Sequence, residues 1–194
     1  MTDLVVGPDG LSRCGWCEPH ADYRAYHDVE WGRGPTHDLE WFEKVSLEGF
    51  QAGLSWLTIL RRRENFRVAF AEFEPSVVAA FGESDVAALL GNPGIIRHEG
   101  KIRAVISNAH LALVMIDEFG SLGAFFNQFR EPPSPAPRTL AEVAAVTATS
   151  AALAADLRRR GWRFVGPTTM YAMAQSMGLA NDHLAGCWKR DEIS

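Results

Sequence analysis

Apolar residues recur along this chain at helical rather than strand spacing. Over residues 38–51 and just beyond, Trp41, Val45, Glu48 and Ala52 fall at i, i+4, i+7 and i+11, one stripe of a helix. Phe66, Phe70 and Phe73 repeat that spacing. Ser84 is placed to cap a short helix through Leu90, which Gly91-Asn92-Pro93-Gly94 breaks. Residues 101–117 carry Ile102, Val105, Ile106, Ala109, Leu113 and Ile116 on an apolar face. The one linker-like stretch is Glu131-Pro132-Pro133-Ser134-Pro135-Ala136-Pro137-Arg138, expected to be semi-rigid and exposed. Ser150 can open a helix that Gly161 ends. Phe164-Val165-Gly166-Pro167-Thr168 reads as a tight turn into a last helix closed by Gly178. No alternating strand pattern of convincing length and no internal repeat interrupts this series. The chain reads as all-α.

Composition places these helices in one large domain or two small lobes, since 194 residues can bury a substantial core. Apolar content of 47% with 22% charged residues is that of a soluble globular protein. No apolar run approaches the ~20 residues needed to span a bilayer. Residues 1–12 hold two acids, no base and too short an apolar stretch for a signal peptide. Three cysteines, an odd number, point to a reducing cytoplasm and against disulfides. The net charge of −5 argues mildly against nucleic acid. The bases are clustered, however: Arg61 to Arg63, then Arg97, Lys101 and Arg103, then Arg158 to Arg160 and Arg163. They are either solvated helix ends or a local basic face on an acidic protein.

The cysteines also suggest a metal. Cys14 and His27 lie near the start, and His183 and Cys187 near the end, at a spacing that puts both on one face of a helical turn. Four ligands of this softness suit a closed tetrahedral Zn²⁺ site that would clip the two ends of the chain together. Cys17 makes Cys14-Gly15-Trp16-Cys17 a Cys-x-x-Cys in its own right. Two quartets are therefore open, Cys14/His27/His183/Cys187 and Cys14/Cys17/His183/Cys187. So is a third reading, in which the thiols are unrelated and buried as small apolar groups.

Glu48 stands out among the charged residues, because a carboxylate on an apolar stripe is costly to bury without a partner. It lines a pocket or answers a buried arginine, and burial would raise its pKa. Around it, Trp16, Tyr23, Tyr26 and Trp31 precede in a polar, glycine-bearing segment, and Trp56 follows. Rings in such a segment either close a core or stack a flat ligand between them.

Taken together, these segments resemble a known family. Arg13-Cys14-Gly15-Trp16, Tyr26-His27-Asp28-x-Glu30-Trp31-Gly32 and Leu47-Glu48-Gly49-Phe50-Gln51-Ala52-Gly53-Leu54-Ser55-Trp56 closely resemble bacterial 3-methyladenine DNA glycosylase I. The resemblance continues through Arg63-Glu64-Asn65-Phe66, Gly94-Ile95-Ile96-Arg97-His98-x-Gly100-Lys101-Ile102 and Phe164-Val165-Gly166 to Asn181-Asp182-His183-x3-Cys187. It runs from about residue 13 to 188. Cys17 is not part of the family motif, and residues 1–12 lie outside the resemblance.

The resemblance implies an all-helical fold of the helix-hairpin-helix glycosylase superfamily, with one structural zinc tying the termini through Cys14, His27, His183 and Cys187. It implies one glycosylase domain over 13–190, or two lobes with the base pocket between them. Residues 1–12 would be a poorly ordered extension. Glu48 would recognise the base and stabilise charge, with Tyr26 and Trp56 as its nearest companions and Trp16, Tyr23 and Trp31 around them. The implied activity is hydrolysis of the N-glycosidic bond of 3-methyladenine in alkylated double-stranded DNA, by a cytoplasmic monomer with no membrane association. No lysine falls in the matched catalytic motifs, so simple hydrolysis to an abasic site is expected rather than Schiff-base chemistry. Gly166 and Thr168 can aim backbone N–H groups at a DNA phosphate, with Arg97 and Lys101 supplying charge. Asp182 stands where related glycosylases carry a catalytic aspartate; beside His183, it is read instead as a group that orients that ligand. The alternatives are a glycosylase for another alkylated purine and a zinc-stabilised DNA-binding module without catalysis. A zinc hydrolase is disfavoured, because four protein ligands leave no open coordination position.

Overall fold

The computed structural model describes residues 3–193, and they form a helical protein with one short hairpin. Its axis is α2 (Asp38–Gln51). From Trp41 to Phe50 every residue of α2 but Glu43 is buried. A helix covered on all sides must bury whatever charges it carries, and here these are Lys44 and Glu48. At its start Glu40 Oε2 accepts from the backbone of Thr36 and His37 (2.6 and 3.1 Å). Asp38 accepts from Leu122 N (2.8 Å) at the first residue of a neighbouring short helix. The helix ends at Gln51, so Ala52 is its exposed cap rather than a fourth member of the buried stripe. Lys101 Nζ reaches across to the carbonyls of Phe50 and Ala52 (2.9 and 2.7 Å), satisfying acceptors that a helix end leaves open.

In the chain α1 (Ala21–Val29) precedes this axis, and α3 (Trp56–Leu60), which packs on it, is followed by α4 (Arg63–Ala69), α5 (Pro75–Val78) and α6 (Glu83–Gly91). Phe66, Phe70 and Phe73 are fully buried as their spacing predicts, and Phe50 of α2 stacks into the same group, 4.6 Å from Phe66 between ring centres. α6 is capped at Gly82, whose N–H donates to Asp85 Oδ2 (2.8 Å), and Ser84 lies inside its first turn. α7 (Glu99–Phe119) is longer than its apolar stripe suggests. Ile102, Val105 and Ala109 are buried as read, while Leu113 is exposed and Ala112 and Met115 take the inward positions. α8 (Leu122–Phe126) follows. Residues 131–138 form no regular element, but they are held to the C-terminal segment by Glu131 N to Leu179 O and Ala185 N to Pro137 O (2.8 and 2.7 Å).

The last two helices are α9 (Ala148–Arg159) and α10 (Pro167–Ser176), which pack on each other and, through α10, on α2. Thr147, not Ser150, caps α9. Their side chains and backbones exchange hydrogen bonds as a reciprocal capping box. Between the helices the chain passes through Phe164 at φ +57°, a left-handed conformation rare for an aromatic residue. Buried Asn108 of α7 fastens this turn by accepting from Arg163 N and donating to Arg163 O (3.0 and 3.1 Å). Gly178, expected to close α10, sits just beyond it at φ +69°. A Cβ there would come within 2.5 Å of Gly32 O.

The N-terminal segment departs from expectation. Within the stretch read as poorly ordered, residues 3–12 are structured, while residues 1 and 2 lie outside the described residues. Strand β1 (Leu4–Val6) pairs antiparallel with β2 (Ser12–Cys14), Val5 opposite Arg13. Gly7-Pro8-Asp9-Gly10 turns the chain, with Gly10 at φ +80° and Asp9 Oδ1 accepting from Leu11 N (3.1 Å). Three-residue strands are too short for alternation to show. The turn chemistry was the legible signal. Asp3 accepts from Leu140 N (2.7 Å), and Ser12 O from Trp188 N (2.9 Å), so the hairpin is held to distant parts of the chain.

Most buried apolar side chains join one core running from Tyr26 to Ala180. A second, smaller cluster is made by Cys14, Leu184 and Cys187. Among the described residues no single helix is long and apolar enough to cross a membrane. Asn108→Ala should remove both clamps on the α9–α10 turn. It is expected to lower stability by about 1–3 kcal/mol for two lost hydrogen bonds, measured by urea unfolding.

Candidate functional site

Cys14 at the end of β2, His27 on α1, and His183 and Cys187 in the C-terminal segment bring four donor atoms to within 4.8 Å of one another, all buried. Cys187 Sγ lies 3.5 Å from His27 Nε2 and 3.5 Å from His183 Nδ1, and Cys14 Sγ lies 3.9 Å from His183 Nδ1. A tetrahedral zinc with ordinary bond lengths would set sulfur and nitrogen ligands about 3.5 Å apart. The donor set therefore fits a tetrahedral metal ion. His27 Nδ1 is engaged by Asp28 Oδ1 (2.8 Å), which leaves Nε2 as the donor aimed at the cluster. Asp28 is in turn gripped by the buried guanidinium of Arg13, whose other edge holds Asp9 in the hairpin turn. His183 and Cys187 do not share a helical turn as their spacing suggested. They sit on an irregular segment in which Cys187 N bonds back to Leu184 O and Gly186 takes φ +91°. Cys17 is buried but stands outside the cluster, and burial pushes its thiol up to about 12.

One cavity of about 290 Å³ is walled by all five residues read as base-binding, Trp16, Tyr23, Tyr26, Trp31 and Trp56, and by Glu48, read as catalytic. The rings interlock, with centres 4.9 Å apart for Trp16–Tyr23, 5.0 Å for Trp16–Trp31 and 5.5 Å for Tyr26–Trp56. Trp31 also lies edge-on to His183 at 4.5 Å, joining pocket and donor cluster through one ring. Glu48 Oε2 is buried and finds no partner among the described residues, while Oε1 pairs with Lys44 Nζ at 3.0 Å. Burial pushes the Glu48 carboxyl up, against the opposing pull of Lys44. Burial likewise raises Tyr23 to about 12 and Tyr26 well above the usual phenol range.

Lys44 is the residue the sequence reading missed; a lysine, rather than the arginine weighed as an alternative, answers Glu48. Its signal was visible, since it lies one turn before Glu48 among apolar neighbours. Asp182, read as a group orienting His183, makes no hydrogen bond to that side chain among the described residues. It lines the cavity, and its Oδ2 accepts from Tyr171 Oη and Gln175 Nε2 of α10 (2.5 and 2.8 Å).

The basic clusters resolve into two kinds. Arg61 pairs with Asp22, Arg63 with Glu30, Arg103 with Glu83 and Glu99, and Arg160 with Glu118. Arg62 caps the carbonyls of Pro93 and Gly94. Lys101, read as a phosphate ligand, is buried against the end of α2 and is withdrawn from that role. Arg97, Arg158 and Arg163 are exposed and make no ion pair among the described residues. They belong to the α9–α10 turn and its surroundings: Arg158 Nη2 would lie 3.5 Å from a Cβ at Gly166, and His98, next to Arg97, packs edge-on to Phe164 at 6.2 Å. Gly166 caps α10 and Thr168 is exposed in its first turn.

A family model described as methyladenine glycosylase matches residues 16–190. The chain is 45% identical over 179 residues to DNA-3-methyladenine glycosylase 1 of Escherichia coli K12, spanning 91% of this chain and 96% of that protein. It is 40% identical to the DNA-3-methyladenine glycosylase of Haemophilus influenzae, over 91% of this chain and 96% of that one. Among solved structures, a crystal structure of a 3-methyladenine DNA glycosylase I superposes with a TM-score of 0.87 at 46% identity, covering 91% of this chain and 98% of the other. A Staphylococcus aureus enzyme studied for its recognition of 3-methyladenine superposes with a TM-score of 0.87 at 30% identity, covering 92% and 96%. The chain belongs to the methyladenine glycosylase family.

Proposed function

We propose that the protein is a monofunctional DNA-3-methyladenine glycosylase that hydrolyses the N-glycosidic bond in alkylated duplex DNA, leaving an abasic site for base excision repair. The observation that carries this reading is Glu48, which lines a cavity walled by aromatic rings and whose buried Oε2 has no partner among the described residues. The nucleotide has to leave the duplex to reach such a cavity, at a cost of roughly a few kcal/mol. Methylation at N3 makes the base cationic. Trp and Tyr faces then favour it over neutral adenine, by on the order of 0.5–2 kcal/mol per contact. Glu48 Oε2 accepts from the exocyclic amine while its charge offsets that of the base. The C1′–N9 bond breaks with its electron pair going to the base, which leaves neutral. The oxygen of a water molecule bonds to C1′ and its proton passes to solvent. Lys44 lines the neighbouring cavity and not this one, which accords with hydrolysis rather than imine formation. Asp182, engaged on one oxygen by two α10 donors, serves in this reading to fix α10 to the C-terminal segment.

α9, the Phe164–Gly166 turn and α10 are assigned as the helix-hairpin-helix element that holds DNA. Gly166 and Thr168 face a phosphate through the start of α10, with Arg97, Arg158 and Arg163 around it. The four-donor cluster is assigned one zinc ion of structural role, held by Cys14, His27, His183 and Cys187. Zinc there would supply folding free energy and hold together the two chain ends that carry the pocket. The protein is read as a cytoplasmic monomer, with residues 13–190 as its glycosylase domain and no membrane association.

Variants in the pocket, the basic turn and the donor cluster check this. Glu48→Ala should lower single-turnover release of 3-methyladenine from methylated duplex by about 100-fold or more with DNA binding retained, and Trp56→Ala should weaken binding of the free base by about 1–3 kcal/mol. Excision at the parental rate by Glu48→Ala would remove the assignment. Replacing Arg97, Arg158 and Arg163 by alanine should weaken DNA binding equally across sequences and lower its salt slope by about 2–3, leaving free-base affinity unchanged. Cys14→Ser or Cys187→Ser should release zinc by metal analysis and lower the melting temperature, by about 2–4 °C for each kcal/mol lost at this size. Cys17→Ser should retain the metal.

A further inference from the structure

Lys44 and Glu48 lie one turn apart on α2, and their side chains are 9% and 4% exposed. The Lys44 ammonium has three close neighbours. It meets Glu48 Oε1 at 3.0 Å, donates to Tyr26 Oη at 2.8 Å, and sits 3.4 Å from the ring centre of Trp56. Tyr26 and Trp56 form a partition. They wall the aromatic cavity on one side and, on the other, a second cavity of about 230 Å³ that Lys44 lines and Glu48 does not. Lys44 thus stands behind the wall, out of contact with a base held in the aromatic cavity. It grips the three side chains, Glu48, Tyr26 and Trp56, that would read such a base.

We infer that Lys44 is the positioning residue of this site: its ammonium ties Glu48 Oε1 back to the wall, so that the carboxylate stands charged, with Oε2 free, before the base arrives. The inference rests on the reading of Glu48 as the group that recognises the base. Burial pushes the Glu48 carboxyl up and the Lys44 ammonium down even as they face each other, and without the ammonium burial would act on the carboxyl unopposed. A protonated carboxyl would meet a cationic base without the charge that offsets it. Other groups face the pair without supplying a second cation in contact. Tyr23 and Tyr26 come from α1, Glu30 follows α1 and is held by Arg63 of α4, and Asp182 comes from the C-terminal segment. Lys101 of α7 is committed to the end of α2. The fixed ammonium is therefore a preorganised electrostatic element, in place before reaction begins.

The test is the pH profile of single-turnover excision on methylated duplex. Excision needs the Glu48 carboxylate. Removing the ammonium leaves burial unopposed, so the carboxyl loses its proton only at higher pH and the acid limb moves up. Lys44→Gln keeps a hydrogen-bond donor and loses the charge. It should be slower by about tenfold per unit of limb shift at pH 6, with the deficit shrinking to less than about threefold at pH 9. Lys44→Met should behave alike, and Lys44→Arg should restore the parental profile. In a Glu48→Gln background, Lys44→Gln should add no pH-dependent loss. A deficit equal at all pH values, or none, would overturn the inference, because a packing role alone gives no pH dependence. Should the variants not fold, ¹³C-labelled Glu48 in the unaltered protein decides the matter: a charged carboxylate at pH 7 without ligand supports the inference and a protonated carboxyl overturns it. Excision that survives Glu48→Ala would instead remove the underlying assignment of Glu48.

Discussion

Four donor atoms from opposite ends of the chain converge, and the pocket hangs from that convergence. Each end carries a pocket residue beside a donor: Trp16 is two residues from Cys14, Tyr26 adjoins His27, and Asp182 adjoins His183. Trp31 leans on the His183 ring from the pocket side. Displacing a donor by an ångström would displace the adjoining wall with it. Backward from the cluster, the restraint passes through Asp28 to Arg13 and Asp9, so the hairpin at the start of the chain also orients a ring nitrogen of His27. The donor cluster and the aromatic cavity are two parts of one construction.

The second constraint is the full burial of α2. A helix enclosed on every side gives its charged residues no route to solvent, so Lys44 and Glu48 have to answer each other. The pairing leaves one carboxylate oxygen without a partner among the described residues, on a side chain that lines the cavity. Pairing also governs the surface. Most arginines of this acidic chain are engaged by carboxylates or carbonyls, and three around the α9–α10 turn are left to make local positive potential on a molecule of net charge −5. Clustering along the sequence did not separate paired from free bases, because pairing is decided by which acids the fold brings near.

Helical periodicity made most of the architecture legible, since apolar spacing and burial have one cause. Phe66, Phe70 and Phe73 are inside, and the Val165–Gly166 turn opens α10 where Pro167 suited a first helical position. Caps were less legible. Ser84 and Ser150 looked like caps, yet Gly82 and Thr147 hold those places, because neighbouring small and hydroxyl residues compete for the same role. The site residues were visible one by one as anomalies: a carboxylate on an apolar stripe, rings in a polar segment, paired Cys and His. Their assembly into one cavity was carried by motif resemblance, not by spacing. Lys101 was misread because a lysine clustered in sequence with Arg97 and Arg103 looks like part of a basic face. Only the fold shows its ammonium turned inward onto two carbonyls.

Cys14 and His183 are separated by 169 residues, and their meeting defines an order of assembly. Closing a loop of that size costs on the order of 4–5 kcal/mol of chain entropy, so the ends can join only after the intervening helices have condensed and drawn them near. During synthesis, α1 and α2 are complete while His183 and Cys187 have yet to be added to the chain. A chain that has yet to acquire that segment would carry Glu48 and Lys44 without one wall of the aromatic cavity. Such a chain would have no competent pocket, and residues 182–187 would be the segment that completes the binding site.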